Sequence, residues 1–184
     1  KVDLKAGGVT QRRAVDNRFL GEGLTEWRGQ LIHLTPPQTE PTLIRHMIGS
    51  NDVLTALLRR FVDLDNGARH DFDSLQSKSR FHVVGAGWGL THDDRELIMS
   101  DGTSMLRFLN PTTMKWQGQI GVTDNGKGIR WLNELELVKG KVYANIWQQD
   151  RIAIIQPDSG EITGWLDLSE LRPLLVPPPQ DVEG

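Results

Sequence analysis

The chain has 184 residues, of which 38% are hydrophobic and 24% are charged, and its formal net charge is −3 at pH 7. That charge, with no stripe of lysine and arginine among aromatic residues, argues against nucleic acid as a partner, and no apolar run reaches the ~18 residues of a membrane span. Cysteine is absent, which excludes a thiolate nucleophile, a disulfide and a cysteine zinc site.

The first predicted element belongs to a repeated pattern. Leu24, Leu90 and Leu135 are each followed seven positions later by an apolar pair. The step from Leu90 to Leu135 is 45 residues (135 − 90), the length of a four-stranded propeller blade, while the first step is 66 residues (90 − 24) and so contains an insertion. The sequence therefore predicts one all-β propeller domain over residues 1–172, with about three to four blades and an insertion at about 36–69.

The insertion carries the signals of a short helix. Apolar residues recur at i, i+3, i+4 and i+7 from Leu54, with Asp52 near the start and Arg59 and Arg60 near the end. This pattern predicts a helix over about residues 52–61. We interpret it as a surface elaboration that docks on a neighbouring blade, and the alternative is a lid or a partner-binding helix.

Two further units match each other part by part. Short apolar strands alternate with turn signals such as Asp101-Gly102, Asn110-Pro111 and Lys139-Gly140. The distance from the leading leucine to the proline of the second turn is 21 residues in one unit (111 − 90) and 22 in the other (157 − 135). A proline-rich tail over residues 173–184 is predicted to be extended.

One position of the repeat changes its chemistry from copy to copy. Two residues before the leading leucine, the three copies carry Glu22, Trp88 and Asn133. Equivalent places in a ring of blades face one another, so we expect these side chains to form a site. Glycines flank Glu22, and a carboxylate desolvated there would have a raised pKa and could both take and give a proton. The alternative is an exposed loop glutamate.

The remaining candidates are indoles and polar groups. Trp88 and Trp147 suit an apolar wall, although burial in the core is the alternative for both. Asn133 can donate to a developing oxyanion or accept from an ammonium group. Glu134 should face away from Asn133 in a strand and is interpreted as structural. A second tier near the same rim comprises Asp101, Gln148 and Asp150, whereas core positions are predicted for Trp27, Trp116, Trp131 and Trp165.

Metal chemistry is not predicted. The five histidines show no i, i+2 or i, i+4 pairing with one another, which is the spacing that a histidine metal site on one strand or helix needs.

Several motifs together resemble the glutamine cyclotransferase family. They include Gly-Glu-Gly-Leu-Thr, Gly-Trp-Gly-Leu-Thr-His-Asp with Ser-Asp-Gly, Asn-Glu-Leu-Glu, and Tyr-Ala-Asn-Ile-Trp-Gln-Gln-Asp-Arg-Ile-Ala. The resemblance covers about residues 1–35 and 70–172. It implies a five-bladed β-propeller that converts the N-terminal glutamine of peptides or proteins to pyroglutamate and releases ammonia, without metal or another cofactor.

The resemblance also implies roles for the candidate residues. Glu22 matches the general acid/base of the family, Trp88 and Trp147 match its indole walls, and Asn133 matches a polar contact to the substrate. Because family members are commonly exported, a secreted or periplasmic location is expected.

The chain departs from the family pattern in several places. An N-terminal strand motif and a C-terminal Gly-Lys-x-Trp-Pro motif are missing, Pro36 stands where the family has tryptophan, and Leu20 stands where an aromatic residue is usual. We therefore expect a partial or rearranged member. The alternative function is a catalytically impaired propeller fragment that binds peptides or proteins, with self-association through open blade edges.

Overall fold

Three four-stranded antiparallel sheets form the described part of the protein. The computed structural model describes residues 1–3, 5–14, 21–35 and 65–174. The predicted inserted helix and most of the predicted tail lie outside these ranges. In every sheet the spatial order of the strands follows the chain, and each strand is hydrogen-bonded to the next, which is the arrangement of a propeller blade.

The first sheet combines strands from before and after the predicted insertion. Its strands are β1 (Leu24–Trp27), β2 (Gln30–Leu34), β3 (Gly67–Asp71) and β4 (Ser77–Phe81). The repeat was expected to resume at about residue 70. It resumes at Gly67 instead, because the ladder between β2 and β3 extends back to that residue.

The second sheet contains β5 (Leu90–His92), β6 (Leu97–Met99), β7 (Met105–Leu109) and β8 (Trp116–Gly121). These strands and the turns between them follow the predicted order. Its first two strands, β5 and β6, are short, with three residues each.

A small hairpin that the sequence analysis did not predict follows the second sheet. It pairs β9 (Thr123–Asp124) with β10 (Lys127–Gly128). Asn125 and Gly126 form its turn with φ angles of 50° and 78°. An Asn-Gly pair with positive φ at both central residues is the favoured two-residue connection between antiparallel strands.

The third sheet has the longest innermost strand, with seven residues. It contains β11 (Leu132–Val138), β12 (Lys141–Ile146), β13 (Arg151–Ile155) and β14 (Ile162–Asp167), and a 3₁₀ helix (Ser169–Leu174) follows. Within the described ranges, no helix has the length and apolar character needed to cross a membrane.

The strand register confirms the repeat found in the sequence. In every sheet the leading leucine of the innermost strand pairs with the residue nine positions later on the second strand. These partners are His33 for Leu24, Met99 for Leu90 and Ala144 for Leu135. The three copies are therefore structurally equivalent, and so are the positions two residues before each leucine.

The middle sheet shows why the repeat contains an apolar pair. Its two faces are covered by the first and the third sheet, so both residues of the pair are buried. Successive side chains of a strand point to opposite faces, so Leu97 packs toward the first sheet and Ile98 toward the third. Each is at most 2% exposed, and full burial of such a side chain contributes ~1.5–3 kcal/mol. Two clusters of buried residues result, one on each side of the middle sheet.

Candidate active site

Glycines let the innermost strands of neighbouring sheets touch through their backbones. The Gly23 amide donates to the Trp88 carbonyl oxygen at 2.6 Å, and a Cβ at Gly23 would lie 2.5 Å from the Leu90 nitrogen. A Cβ at Gly89 would overlap the Asn133 carbonyl oxygen. Only glycine permits these approaches, so the repeat slot of each sheet lies beside that of the next.

A buried hydroxyl joins the second and third sheets at the same level. Ser100 is fully buried, and its Oγ donates to the Asn133 carbonyl oxygen at 2.6 Å and accepts from the Gly89 amide at 2.9 Å. The backbone on either side of Asn133 is therefore held in place by the second sheet. Such fixed spacing is what a site built from several strands requires.

Glu22 precedes β1 at this junction. Its amide donates to the Leu34 carbonyl oxygen at 3.1 Å, which fixes the backbone, and its side chain is half-buried. Burial raises the pKa of the Glu22 carboxyl above its ordinary value, because the charged form loses hydration. A carboxyl with a raised pKa exchanges protons more readily near neutral pH.

Glu134 adds a second carboxylate that the sequence analysis had set aside as structural. The register of β11 against β12 shifts between Leu132 and Leu135, so strict alternation fails at Asn133 and Glu134. Burial, and then the charge of Glu22, raise the pKa of the Glu134 carboxyl. The two carboxylates therefore interact electrostatically, and the expectation that Glu134 faces away from Asn133 stays a prediction.

Three indoles cluster beside this junction. The ring of Trp88 is stacked on that of Trp131, with centroids 6.2 Å apart and planes 24° apart. The ring of Trp147 lies 5.9 Å from Trp88 and 5.5 Å from Trp131. The structure thus brings together the two predicted wall residues and a third that was assigned to the core.

Trp131 is not a core residue, since 43% of it is exposed. Period-two alternation could not indicate its position, because the Trp131 backbone is left-handed, with a φ of 68°. The core prediction was correct for Trp27, which is buried in the cluster between the first and second sheets, and wrong for Trp116, which is 41% exposed.

The structure gives the second-tier candidates contacts of their own. Asp101 is paired with Arg107, whose Nη2 lies 2.7 Å from Asp101 Oδ2, and it also accepts from the Thr103 amide at 3.2 Å. These contacts give Asp101 a structural task. Gln148 is exposed and follows Trp147 with a φ of 61°. Asp150 lines an open cavity of about 370 Å³ on the side of β13 and β14.

Metal-ligating side chains are sparse across the part of the chain that the structure describes. No group of three or more histidine, aspartate or glutamate residues is arranged there to hold a metal ion. His33 and His70, on neighbouring strands, have ring centroids 6.1 Å apart, and burial lowers the pKa of both.

The fold is a β-propeller in which the backbone segments that carry Glu22, Trp88 and Asn133 meet where the innermost strands touch, with three indoles beside them. Comparisons with known proteins agree. The family model for glutamine cyclotransferase matches residues 62–182. The chain belongs to the glutamine cyclotransferase family, and the family and fold predicted from its motifs are confirmed.

Two relatives show how much of the family architecture is present. Glutaminyl-peptide cyclotransferase from Arabidopsis thaliana is 36% identical over 172 residues, which cover 93% of this chain and 46% of that protein. The crystal structure of Myxococcus xanthus glutaminyl cyclase superposes with a TM-score of 0.69 at 25% identity, covering 89% of this chain and 60% of that one. The chain spans about half the length of the curated relative that it matches.

Proposed function

We propose that this protein is a glutaminyl-peptide cyclotransferase in which Glu22 moves the proton. The observation that carries the proposal is the half-buried Glu22 carboxyl with its raised pKa, one residue from the backbone contact between Gly23 and Trp88, in a chain of this family. The substrate is a peptide or protein with an N-terminal glutamine. The assignment of these residues is a prediction from the sequence that the geometry supports.

The reaction is an intramolecular substitution. The neutral α-amine of the glutamine attacks its own side-chain carbonyl carbon, a new C–N bond closes the five-membered lactam, and the bond to the departing amide nitrogen breaks. One proton passes from the attacking nitrogen to the departing one, and ammonia leaves. A single carboxyl can accept that proton and return it, so no net proton is consumed by Glu22.

The other residues have supporting tasks. The Asn133 side-chain amide can donate to the oxyanion that develops on the carbonyl oxygen, and such a donor is most effective when its backbone is fixed, as it is here by Ser100. The indoles of Trp88 and Trp147 exclude water and hold the apolar stem of the glutamine. Orientation contributes to the rate because the attacking amine and the carbonyl carbon belong to the same glutamine residue.

The test is to incubate the chain with a dipeptide that begins with glutamine and to measure ammonia and pyroglutamate. We expect Glu22→Gln to lower kcat by ~10²- to 10⁴-fold, the range of general acid–base catalysis. Glu26→Gln is the matched control, on the inner strand that follows Glu22. Glu26 accepts from the Gly29 amide at 2.6 Å, and glutamine keeps an acceptor there, so activity should be unchanged. Activity that survives Glu22→Gln would remove the proposed mechanism.

A catalytically impaired fragment that binds peptides or other chains is the second candidate. It is favoured by apolar residues that stay accessible on the third sheet: Leu166 is 42% exposed and Val138 is 41% exposed. A fragment of this kind would bind peptides without releasing ammonia and would self-associate through open sheet edges. A folded wild-type chain that binds the dipeptide but releases no ammonia would favour this candidate over the enzyme.

A further inference from the structure

We propose that Trp131 contacts the residue that follows the N-terminal glutamine and makes the enzyme prefer an aromatic or large apolar side chain there. The inference rests on the proposed function and deepens it. It concerns an indole to which neither the sequence analysis nor the family resemblance gave a role.

The first argument is the surface that Trp131 completes. Trp131 and Trp147 are 43% and 44% exposed although each contacts the other two indoles. Indoles that serve only to fill a core are buried, as Trp27 is. Three rings in mutual contact with accessible faces form an apolar wall, and aromatic side chains favour offset or edge-to-face packing on such walls.

The second argument is that the backbone holds these rings in an unusual way. Trp131 has a φ of 68° and Gln148, next to Trp147, has a φ of 61°, a conformation that side chains other than glycine rarely adopt. The Trp147 amide donates to the Trp131 carbonyl oxygen at 2.9 Å, so the two left-handed positions are linked. Strain of this kind persists where the surrounding structure holds it, and it is concentrated at ligand sites.

A glycine fixes the third ring. A Cβ at Gly102 would lie 2.6 Å from the Trp88 ring, and the Trp131 amide donates to the Gly102 carbonyl oxygen at 2.8 Å. The turn that carries Gly102 therefore supports both stacked indoles. A preformed wall loses little conformational entropy when a ligand binds, which favours selectivity.

The position of the wall decides which part of the substrate it meets. The glutamine side chain has to reach the carboxylate and amide end of the junction, where Gly23 bonds to the Trp88 backbone. The peptide then continues away from that end, past the ring of Trp88 and onto the ring stacked on it. The nearby Asp101 charge is neutralised by Arg107, so the wall favours an uncharged residue.

The experiment compares two substrates, the amides of Gln-Phe and Gln-Gly, in wild type and variants. We expect wild type to have a higher kcat/KM for Gln-Phe, through KM. Trp131→Ala should reduce that preference by ~3- to 10-fold, the value of an aromatic contact, and leave Gln-Gly nearly unchanged. Trp131→Phe should restore most of it. Trp116→Ala is the matched control, since Trp116 is 41% exposed on an outer strand.

A binding measurement separates this inference from the proposed reaction. Calorimetric titration of the two peptides into Glu22→Gln, with and without Trp131→Ala, reports the preference without turnover. An active enzyme whose preference is the same after Trp131→Ala, or equal losses for both peptides, would overturn the inference and leave the reaction standing. A chain that releases no ammonia, yet loses its binding preference for Gln-Phe with Trp131→Ala, would overturn the reaction and support the inference.

Discussion

The innermost and outermost strands of the three sheets differ in what surrounds them. Innermost strands touch the next sheet through glycine and backbone atoms, as Gly23 and Gly89 do. Outermost strands pair on one side only and are largely accessible, with four of the six residues of β8 exposed. All the candidate site residues that the structure brings together lie on or next to the first two strands of a sheet, which we call the inner region.

This difference explains where chemistry can develop in such a fold. The spacing of the inner strands is set by backbone contacts, so a side chain placed there has a fixed position whatever its type. Glu22, Trp88 and Asn133 could therefore diverge while the sheets stayed in register. A backbone contact also joins outer strands, since a Cβ at Gly160 would overlap the Gly121 carbonyl oxygen, but none of the clustered candidate residues is carried by an outer strand.

The largest expected effect comes from breaking an inner contact. Gly89→Ala would place a methyl group against the Asn133 carbonyl oxygen and 2.7 Å from the Glu134 Cα, where only backbone could yield. We expect a loss of at least ~3 kcal/mol in the free energy of unfolding, measured by urea denaturation. Gly118→Ala on β8 is the control, because its nearest neighbour would be the Phe108 ring at an ordinary 3.8 Å. Equal effects for the two substitutions would contradict the comparison.

A smaller effect is expected from the ion pair between Asp101, which precedes the glycine of the Gly102 turn, and Arg107. The side chains of Asp101 and Arg107 are 10% and 14% exposed, so Asp101→Asn leaves a guanidinium with a poorer partner. We expect ~2 kcal/mol of destabilisation in the same assay. Asp93→Asn is the matched change, since Arg95 lies 3.7 Å away and is 83% exposed, and it should cost less than ~0.5 kcal/mol. An Asp101→Asn chain as stable as wild type would show that the pair is dispensable.

Local patterns were sufficient for the fold and for part of the site. The apolar pairs and the 45-residue step predicted the blades because a strand between two sheets must bury both faces, as Leu97 and Ile98 do. The interaction of Glu134 with Glu22 was missed because a bulge interrupts alternation, and bulges have no strong sequence signal. Trp131 was missed because its conformation depends on tertiary contacts with the Gly102 turn.

The smallest expected effect concerns the two carboxylates of the inner region. Burial, and then the charge of Glu22, raise the pKa of Glu134 above its ordinary value of 4.5 in the folded state. Stability therefore falls as the pH rises from about 4.5 through that raised value, and the loss is complete above it. Glu134→Gln should therefore stabilise the protein at pH 7 by less than ~0.5 kcal/mol, because Glu134 is accessible to solvent. The gain should disappear below about pH 4.5, where wild-type Glu134 is protonated in both states. Glu136→Gln removes an equal charge two residues along β11 and is the control. A gain that persists at low pH, or that Glu136→Gln reproduces, would show that the interaction with Glu22 is not its source.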